Sequence, residues 1–342
     1  MEKEYMKKIY LLIDSGAFFA YHNEFGYLNK NILIDFFKQH KIKLHILELS
    51  NIETLLKLKN AIVFTVSSQK PYHKKLIEDL YEFLEANNNI LIPSKHIIKA
   101  HDNKGYQELY KRLIGIDSLK YLYVNHDILN YEDVKKIGYP IVLKKLAGSG
   151  SRGVKLIRNE NELKKEITRI KKSFDIRFLI YLKEYIKNLF LHKNNKDKMD
   201  YFKDYDNFVL QEFIPNLEHD YKVLIFFDKL YVLKRNIKDG DFRASGSGDF
   251  EFVDVEHALL DYATTIFQVF DEPFMSLDIC CHEENYYLIE YQWIHFGQYT
   301  QVYSTGYYQK KDSKWHFVAE SVSLEYDIAY ALFNYLKTHL LV

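Results

Sequence analysis

Apolar positions recur along this chain in two rhythms, period two and period 3.6, and the change of rhythm marks its elements. Lys8–Ile13 is a near-continuous apolar run, as a strand covered on both faces requires. Leu28–His40 shifts to helical spacing, Lys43–Leu49 reads as a strand and Ile52–Leu58 as a short helix. Ala61–Val66 is again strand-like, Pro71–Asn87 is a helix with proline in its first turn, and Asn89–Ile92 is a strand. This alternation predicts a parallel α/β layer over about the first hundred residues. Ligands of such layers sit beyond the carboxyl ends of the strands. That directs attention to Asp14, Ser15 and Gly16 and to the aromatic residues Phe18, Phe19 and Tyr21, which otherwise read as a turn and core rings.

The pattern then changes. Lys99–Lys104 precedes a helix to about Ile114, Lys120–Val124 is a short strand and Tyr131–Ile137 a short helix. Tyr139–Leu143 and Val154–Ile157 are short apolar runs flanking a loop of glycine, serine and arginine, which predicts a hairpin. From Asn161 a helical stripe follows through Ile167, Ile170, Phe174, Phe178 and Tyr181. Phe208–Phe213 is a strand, and in Asp220–Phe227 the residues Asp220, Lys222, Leu224 and Phe226 share one face. Leu230–Asn236 is its partner across the turn Asp228-Lys229. A second glycine–serine loop spans Asp241–Gly248, Asp254–Phe270 is a helix, and Phe274–Cys281 and Tyr286–Trp293 pair around His282–Asn285. The closing helix, Val322–Leu340, has an apolar stripe of Leu324, Ile328, Leu332 and Tyr335 that either packs in the core or mediates a homodimer.

Charge changes this picture little. The 342 residues carry 47 Lys plus Arg against 47 Asp plus Glu, so no global field favours nucleic acid or a membrane. Local bias does exist: Lys164–Lys203 holds twelve basic residues against five acidic ones, either a solvated helix and loop or a basic cover for an anionic substrate. Two adjacent cysteines, Cys280 and Cys281, give no disulfide framework and suit a cytoplasmic protein. No apolar run reaches membrane-spanning length.

Candidate chemistry concentrates in three places. The hairpin loop holds Gly148, Gly150 and Gly153 with Ser149 and Ser151, beside Lys144. Such a loop either forms a mobile surface tip or folds over a phosphate chain, its N–H groups and the lysine opposing the charge. Its letters fit the dinucleotide fingerprint G-x-G-x-x-G, but a strand rather than a helix follows, and the G-K-[ST] ending of a Walker loop is missing. The second place is the loop with Arg243. The third is Asp278, Glu290 and Gln292. Glu290 and Gln292 are two apart on one strand, and the hairpin turn brings Asp278 to them. Two carboxylates and an amide oxygen are either strand-surface polar residues or a hard site suited to magnesium, or manganese in its place.

Taken in order, YPIVLKKLAGSGSRGV, VLQEFIPNLEHDYKVLIF, YVLKRNIKDGDFRASGSG and SLDI with LIEYQ resemble the ATP-grasp superfamily, in particular carboxylate–amine ligases of the glutathione-synthetase and ribosomal-protein-S6-modification type. The resemblance covers about residues 95 to 300. It implies an α/β fold of the α+β grasp kind: an N-terminal parallel α/β domain over 1–98, a small grasp lobe over 99–207 and a catalytic lobe over 208–342. It implies that Lys104 and Lys144 reach the ATP phosphates and that Gly148 to Gly153 closes over them. Gln211, Glu212, Phe213 and Ile214 match the hinge that holds adenine, and Glu218 or Asp220 the carboxylate near the ribose. Arg235 and Arg243 match positive groups near the transferred phosphate and the acyl substrate, and Asp278, Glu290 and Gln292 the magnesium ligands. Two departures stand out: Gln292 where the family usually has Asn, and Lys222 where it has Arg, which keeps the charge but loses a two-pronged grip. The implied activity is ATP-dependent joining of a small-molecule carboxylate to an amine through an acyl phosphate. A small-molecule kinase and a nucleotide-binding module without turnover are the alternatives.

Overall fold

In a computed structural model, residues 8–339 are described except 17, 20–25, 67, 69, 118, 149–152, 171–182, 184–185, 188–205, 245 and 294. Ile9–Ile13 forms β1, buried at four of its five positions. After it come α1 (Lys30–Gln39), β2 (Leu44–Glu48), α2 (Ile52–Leu55), β3 (Ile62–Thr65), α3 (Pro71–Ala86) and β4 (Ile90–Ile92). The strands lie in the order β2-β1-β3-β4, all parallel, as the alternation of rhythms predicts. Two helices follow, α4 (Lys95–Ala100) and α5 (Lys104–Leu113); the first is not foreseen from the sequence pattern. The Asn103 side chain caps α5 by accepting from the Tyr106 N–H at 3.1 Å.

The chain then builds a second compact unit over residues 119–215, while 1–118 and 216–342 together make the first. The second unit holds β5 (Tyr121–Val124), α6 (Tyr131–Ile137), β6 (Ile141–Lys145), β7 (Val154–Ile157), α7 (Glu160–Ile170) and β8 (Phe208–Glu212). Its antiparallel sheet runs β5-β8-β6-β7. Val134, Ile141, Leu143, Ile157, Leu163, Ile167, Phe208 and Leu210 form its core. The hairpin β6–β7 is the one read from the flanking apolar runs. Gly153 closes it at φ +82°, where an added Cβ would meet the Lys145 side chain at 3.1 Å; both facts require glycine. The stripe beyond Ile170 and nearly all of the basic segment to Lys203 lie outside the described residues.

Returning to the first unit, the chain adds β9 (His219–Phe226), β10 (Lys229–Asn236), β11 (Phe250–Glu251), α8 (His257–Phe270), β12 (Phe274–His282), β13 (Asn285–Gln292), α9 (Tyr299–Val302), β14 (Tyr307–Lys311), β15 (Lys314–Val318) and α10 (Leu324–Thr338). The strands form a seven-stranded antiparallel sheet, β13-β12-β9-β10-β14-β15, with β11 also paired to β10. The hairpin β14–β15 is absent from the sequence expectation. Leu324, Ile328 and Leu332 of α10 are buried, so the apolar stripe of that helix belongs to the core. Cys280 and Cys281 are free thiols, and among the described residues no helix is long and apolar enough to cross a membrane.

Glu272, between α8 and β12, couples this fold to pH. Its Oε1 accepts from the Ser94 N–H at 2.8 Å, and burial pushes the carboxyl from 4.5 up to about 8. The folded state therefore keeps a proton that the unfolded chain has lost across that window. Stability is expected to fall as pH rises from about 5 to 8, by up to about 1.4 kcal/mol per unit, and then to level off. Glu272→Gln is expected to flatten that part of the profile, which urea titrations at several pH values would read directly; parallel profiles for both proteins would refute it.

Candidate active site

Strand register assembles the acidic group. In β12–β13, Asp278 lies directly opposite Glu290 and Ser276 opposite Gln292, and the pairing shifts only beyond Asp278. Lys222 of β9 lies opposite Asp278, and Asp220 lies opposite Arg235 of β10. Directly opposed residues point to the same side of a sheet. Asp220, Lys222, Arg235, Ser276, Asp278, Glu290 and Gln292 therefore share one face of the first unit. Helix α5 contributes Lys104, whose Nζ is 3.7 Å from Glu290 Oε1.

The contacts on this face are ionic and close. Arg235 donates from Nε and Nη2 to the two Asp220 oxygens at 2.6 and 2.7 Å, and its Nη2 lies 3.0 Å from Asp278 Oδ2. Lys222 Nζ donates to Asp278 Oδ1 at 2.7 Å and to Ser276 Oγ at 3.1 Å. Gln292 Nε2 donates to Glu290 Oε1 at 3.1 Å. Burial alone would raise the Asp278 carboxyl, but Arg235 and Lys222 outweigh it and hold it at about 2. Three carboxylates thus face three cations. Buried charges persist only when paired in this way, so Asp220 and Arg235, 6% and 4% exposed, form a lock under the site.

The donor set fits a hard dication. Asp278 and Glu290 stand in register, and the Gln292 amide, its nitrogen turned to Glu290, keeps an oxygen acceptor. Each Asp278 oxygen already holds one cation but retains lone-pair capacity. Among the described residues no cluster of three His, Cys, Asp or Glu suits a metal, which leaves a set of two carboxylates and an amide as the metal candidate.

The second unit places its own candidates on one face. Lys144 is opposite Val209, and Val142 is opposite Gln211, so Lys144 and Gln211 share a side of the sheet, away from the Leu143–Leu210 core. Both are buried. Glu212 is held at the sheet end, where its Oε2 accepts from the Lys120 N–H at 3.2 Å, and Ile214 is buried shortly after. Phe213 is half-buried. Gly148 has φ 131°, while Ser149, Gly150 and Ser151 lie outside the described residues.

The remaining candidates disperse. Arg243 sits in an exposed loop of the first unit, gripped by Asp241 at 2.8 and 2.9 Å, and Glu218 is exposed. Asp14 ends the parallel strand β1 and accepts from Ser15 and Ser68, each at 2.8 Å, while His73 Nδ1 lies 2.8 Å from Oδ2. Burial would raise its carboxyl, yet these three partners lower it. Sequence reasoning found Asp14 and Ser15 but missed Ser68 and His73; their position beyond β3 and in the first turn of α3 was the available signal. Phe18 and Phe19 are core residues, and Tyr21 lies outside the described residues.

With this geometry in hand, comparisons with known proteins become informative. Residues 121–189 match the family of the carbamoyl-phosphate synthase L chain, ATP binding domain. Biotin carboxylase of Haemophilus influenzae is 36% identical over 69 residues, covering 19% of this chain and 15% of that enzyme's length. D-cycloserine synthetase DcsG superposes with a TM-score of 0.57 at 10% identity, over 96% of this chain and 99% of that one. The RimK domain ATP-grasp protein of Sphaerobacter thermophilus gives 0.52 at 10% identity, over 95% and 98%. The macrocyclase MdnC from Microcystis aeruginosa, bound with precursor peptide MdnA, gives 0.51 at 11% identity, over 95% and 99%. Likeness at such low identity concerns the fold, and the fold expectation drawn from the four sequence motifs holds. In fold, this chain is similar to these ATP-grasp and synthetase structures.

Proposed function

We propose that the protein is an ATP-dependent carboxylate–amine ligase that forms an amide through an acyl phosphate and releases ADP and phosphate. The observation that carries this reading is the face bearing Asp278 opposite Glu290 with Lys104, Lys222 and Arg235 among them, on an ATP-grasp fold. A magnesium ion held by Asp278, Glu290 and Gln292 would neutralise phosphate charge when bound. In this reading Lys104 and Arg235 would oppose the negative charge that grows as a substrate carboxylate attacks the γ-phosphorus. Lys222 keeps Asp278 charged and oriented. In the second unit, Lys144 and the glycine loop would steady the phosphates and exclude water, and Gln211 to Ile214 would hold adenine. The amine then attacks the acyl carbon, its proton is lost to solvent or base, and phosphate leaves. The free thiols of Cys280 and Cys281 fit work in the cytoplasm.

Hydroxylamine tests the chemistry without knowledge of the natural amine. It attacks an acyl phosphate to give a hydroxamate and free phosphate, and it leaves a phosphorylated alcohol untouched. With ATP, magnesium and a panel of small carboxylic acids, a hydroxamate is expected in step with ADP. A stable phosphorylated product with no hydroxamate would favour a kinase and overturn the ligase reading, as would ATP binding with no ADP across the panel.

A further inference from the structure

We propose that Lys222 competes with the metal ion for Asp278: its ammonium holds Asp278 Oδ1 and withdraws onto Ser276 Oγ when a dication takes that oxygen. Lys222 thereby sets the metal concentration at which the site loads. The inference rests on the metal part of the ligase reading and on no substrate.

The two oxygens of Asp278 are held in different ways. Oδ2 lies 3.0 Å from Arg235 Nη2, and that guanidinium is fixed by two hydrogen bonds to Asp220 at 2.6 and 2.7 Å. A planar fork pinned at two points has little room to turn. Oδ1 accepts from Lys222 Nζ at 2.7 Å, and the same nitrogen donates to Ser276 Oγ at 3.1 Å. An ammonium is a point charge with three donors on a flexible stem. It can release one acceptor and keep the other by a small rotation of its last bonds. Strand register supplies both acceptors. Lys222 of β9 is directly opposite Asp278 of β12, and Ser276 lies two residues earlier on the same side of that strand. Ser276 is 1% exposed, so the second acceptor is shielded from water.

Glu290 faces Asp278 from β13, and Lys222 faces it from β9. An ion shared by the two carboxylates needs an Asp278 oxygen, and Oδ1 is the one with the movable partner. Magnesium sits about 2.1 Å from its oxygen ligands. With Lys222 Nζ 2.7 Å from the same oxygen, the two positive charges would stand within about 5 Å of each other. The side chains of Lys222 and Asp278 are each 12% exposed, so water screens that repulsion poorly.

Manganese titration, followed by electron paramagnetic resonance of the free ion, reads this without nucleotide or substrate. Lys222→Met keeps most of the stem and removes the charge; it is expected to bind manganese about tenfold more tightly than the wild type. A lysine that only orients Asp278 for the metal would give the opposite sign. Glu290→Ala in the Lys222→Met protein is expected to abolish the gain, which locates the ion on this face. Ser276→Ala keeps the charge and removes the second acceptor, and is expected to bind manganese about threefold more weakly. Affinity equal or lower in Lys222→Met, a gain that survives Glu290→Ala, or Ser276→Ala equal to the wild type would overturn the proposal. If Lys222→Met unfolds without metal, manganese is expected to restore its folding at concentrations that leave the wild-type urea midpoint unchanged; a failure of that rescue would overturn it too. Hydroxamate formation stays a separate readout. Tighter manganese binding by Lys222→Met without hydroxamate supports the competition and removes the ligase reading, and hydroxamate without the gain removes the competition alone.

Discussion

Arg235→Ala is expected to cost about 3–5 kcal/mol of folding stability and to abolish ATP turnover. The guanidinium is 4% exposed and binds Asp220 through two hydrogen bonds while reaching Asp278 at 3.0 Å. Truncation would leave two buried carboxylates with Lys222 as their remaining close cation on this face. An unpaired buried charge costs far more than the pair contributes, so the loss reflects stranded carboxylates more than a missing bond. Asp220→Asn in the same background is expected to recover part of the stability and none of the turnover, because it removes the stranded charge but restores no cation. Urea midpoints of the single and double variants measure this; an Arg235→Ala protein as stable as the wild type would show that the lock does not bear on folding.

Glu290→Ala and Lys144→Ala are each expected to lower ATP turnover by about a hundred- to a thousandfold while leaving the urea midpoint nearly unchanged. The Glu290 side chain keeps 22% of its surface exposed, more than Asp278 or Arg235, and its close partners are Gln292 and the buried Lys104. Its removal takes away one of two in-register carboxylates, so activity should also demand more magnesium. Lys144 lies in the other unit, and its loss should not alter the magnesium requirement. Titration of activity against magnesium separates the two. Identical magnesium profiles for both variants would remove Glu290 from the metal set, and turnover unchanged in either would remove that residue from the site.

How much of this was legible depends on how far apart the partners are in sequence. Asp278 and Glu290 were legible because a hairpin turn is local: period-two alternation on both strands and a short connection set their register. The β6–β7 hairpin was legible for the same reason. Helix α4 was missed because six residues carry too little periodicity to stand out from the loop before Lys104. The hairpin β14–β15 was missed because Tyr307–Lys311 and Lys314–Val318 are largely lysine, glutamine and histidine on their outer positions, as an edge pair must be. The roles of Lys222 and Arg235 went unread. Their contacts with Asp278 and Asp220 join strands far apart in the chain.

The residues alone determined the alternation of strand and helix, the parallel first layer, the glycine hairpin with its lysine and the pairing of two carboxylates across a turn. Each follows from backbone periodicity and short connections, which act within a dozen or so residues. Tertiary structure alone decided that β9 lies between β10 and β12, and hence that Lys222 and Arg235 bracket Asp278 and that Phe250 stands beside Arg235. Strand order is set by which apolar faces bury together across the whole domain, and that long-range balance leaves no local mark in the sequence.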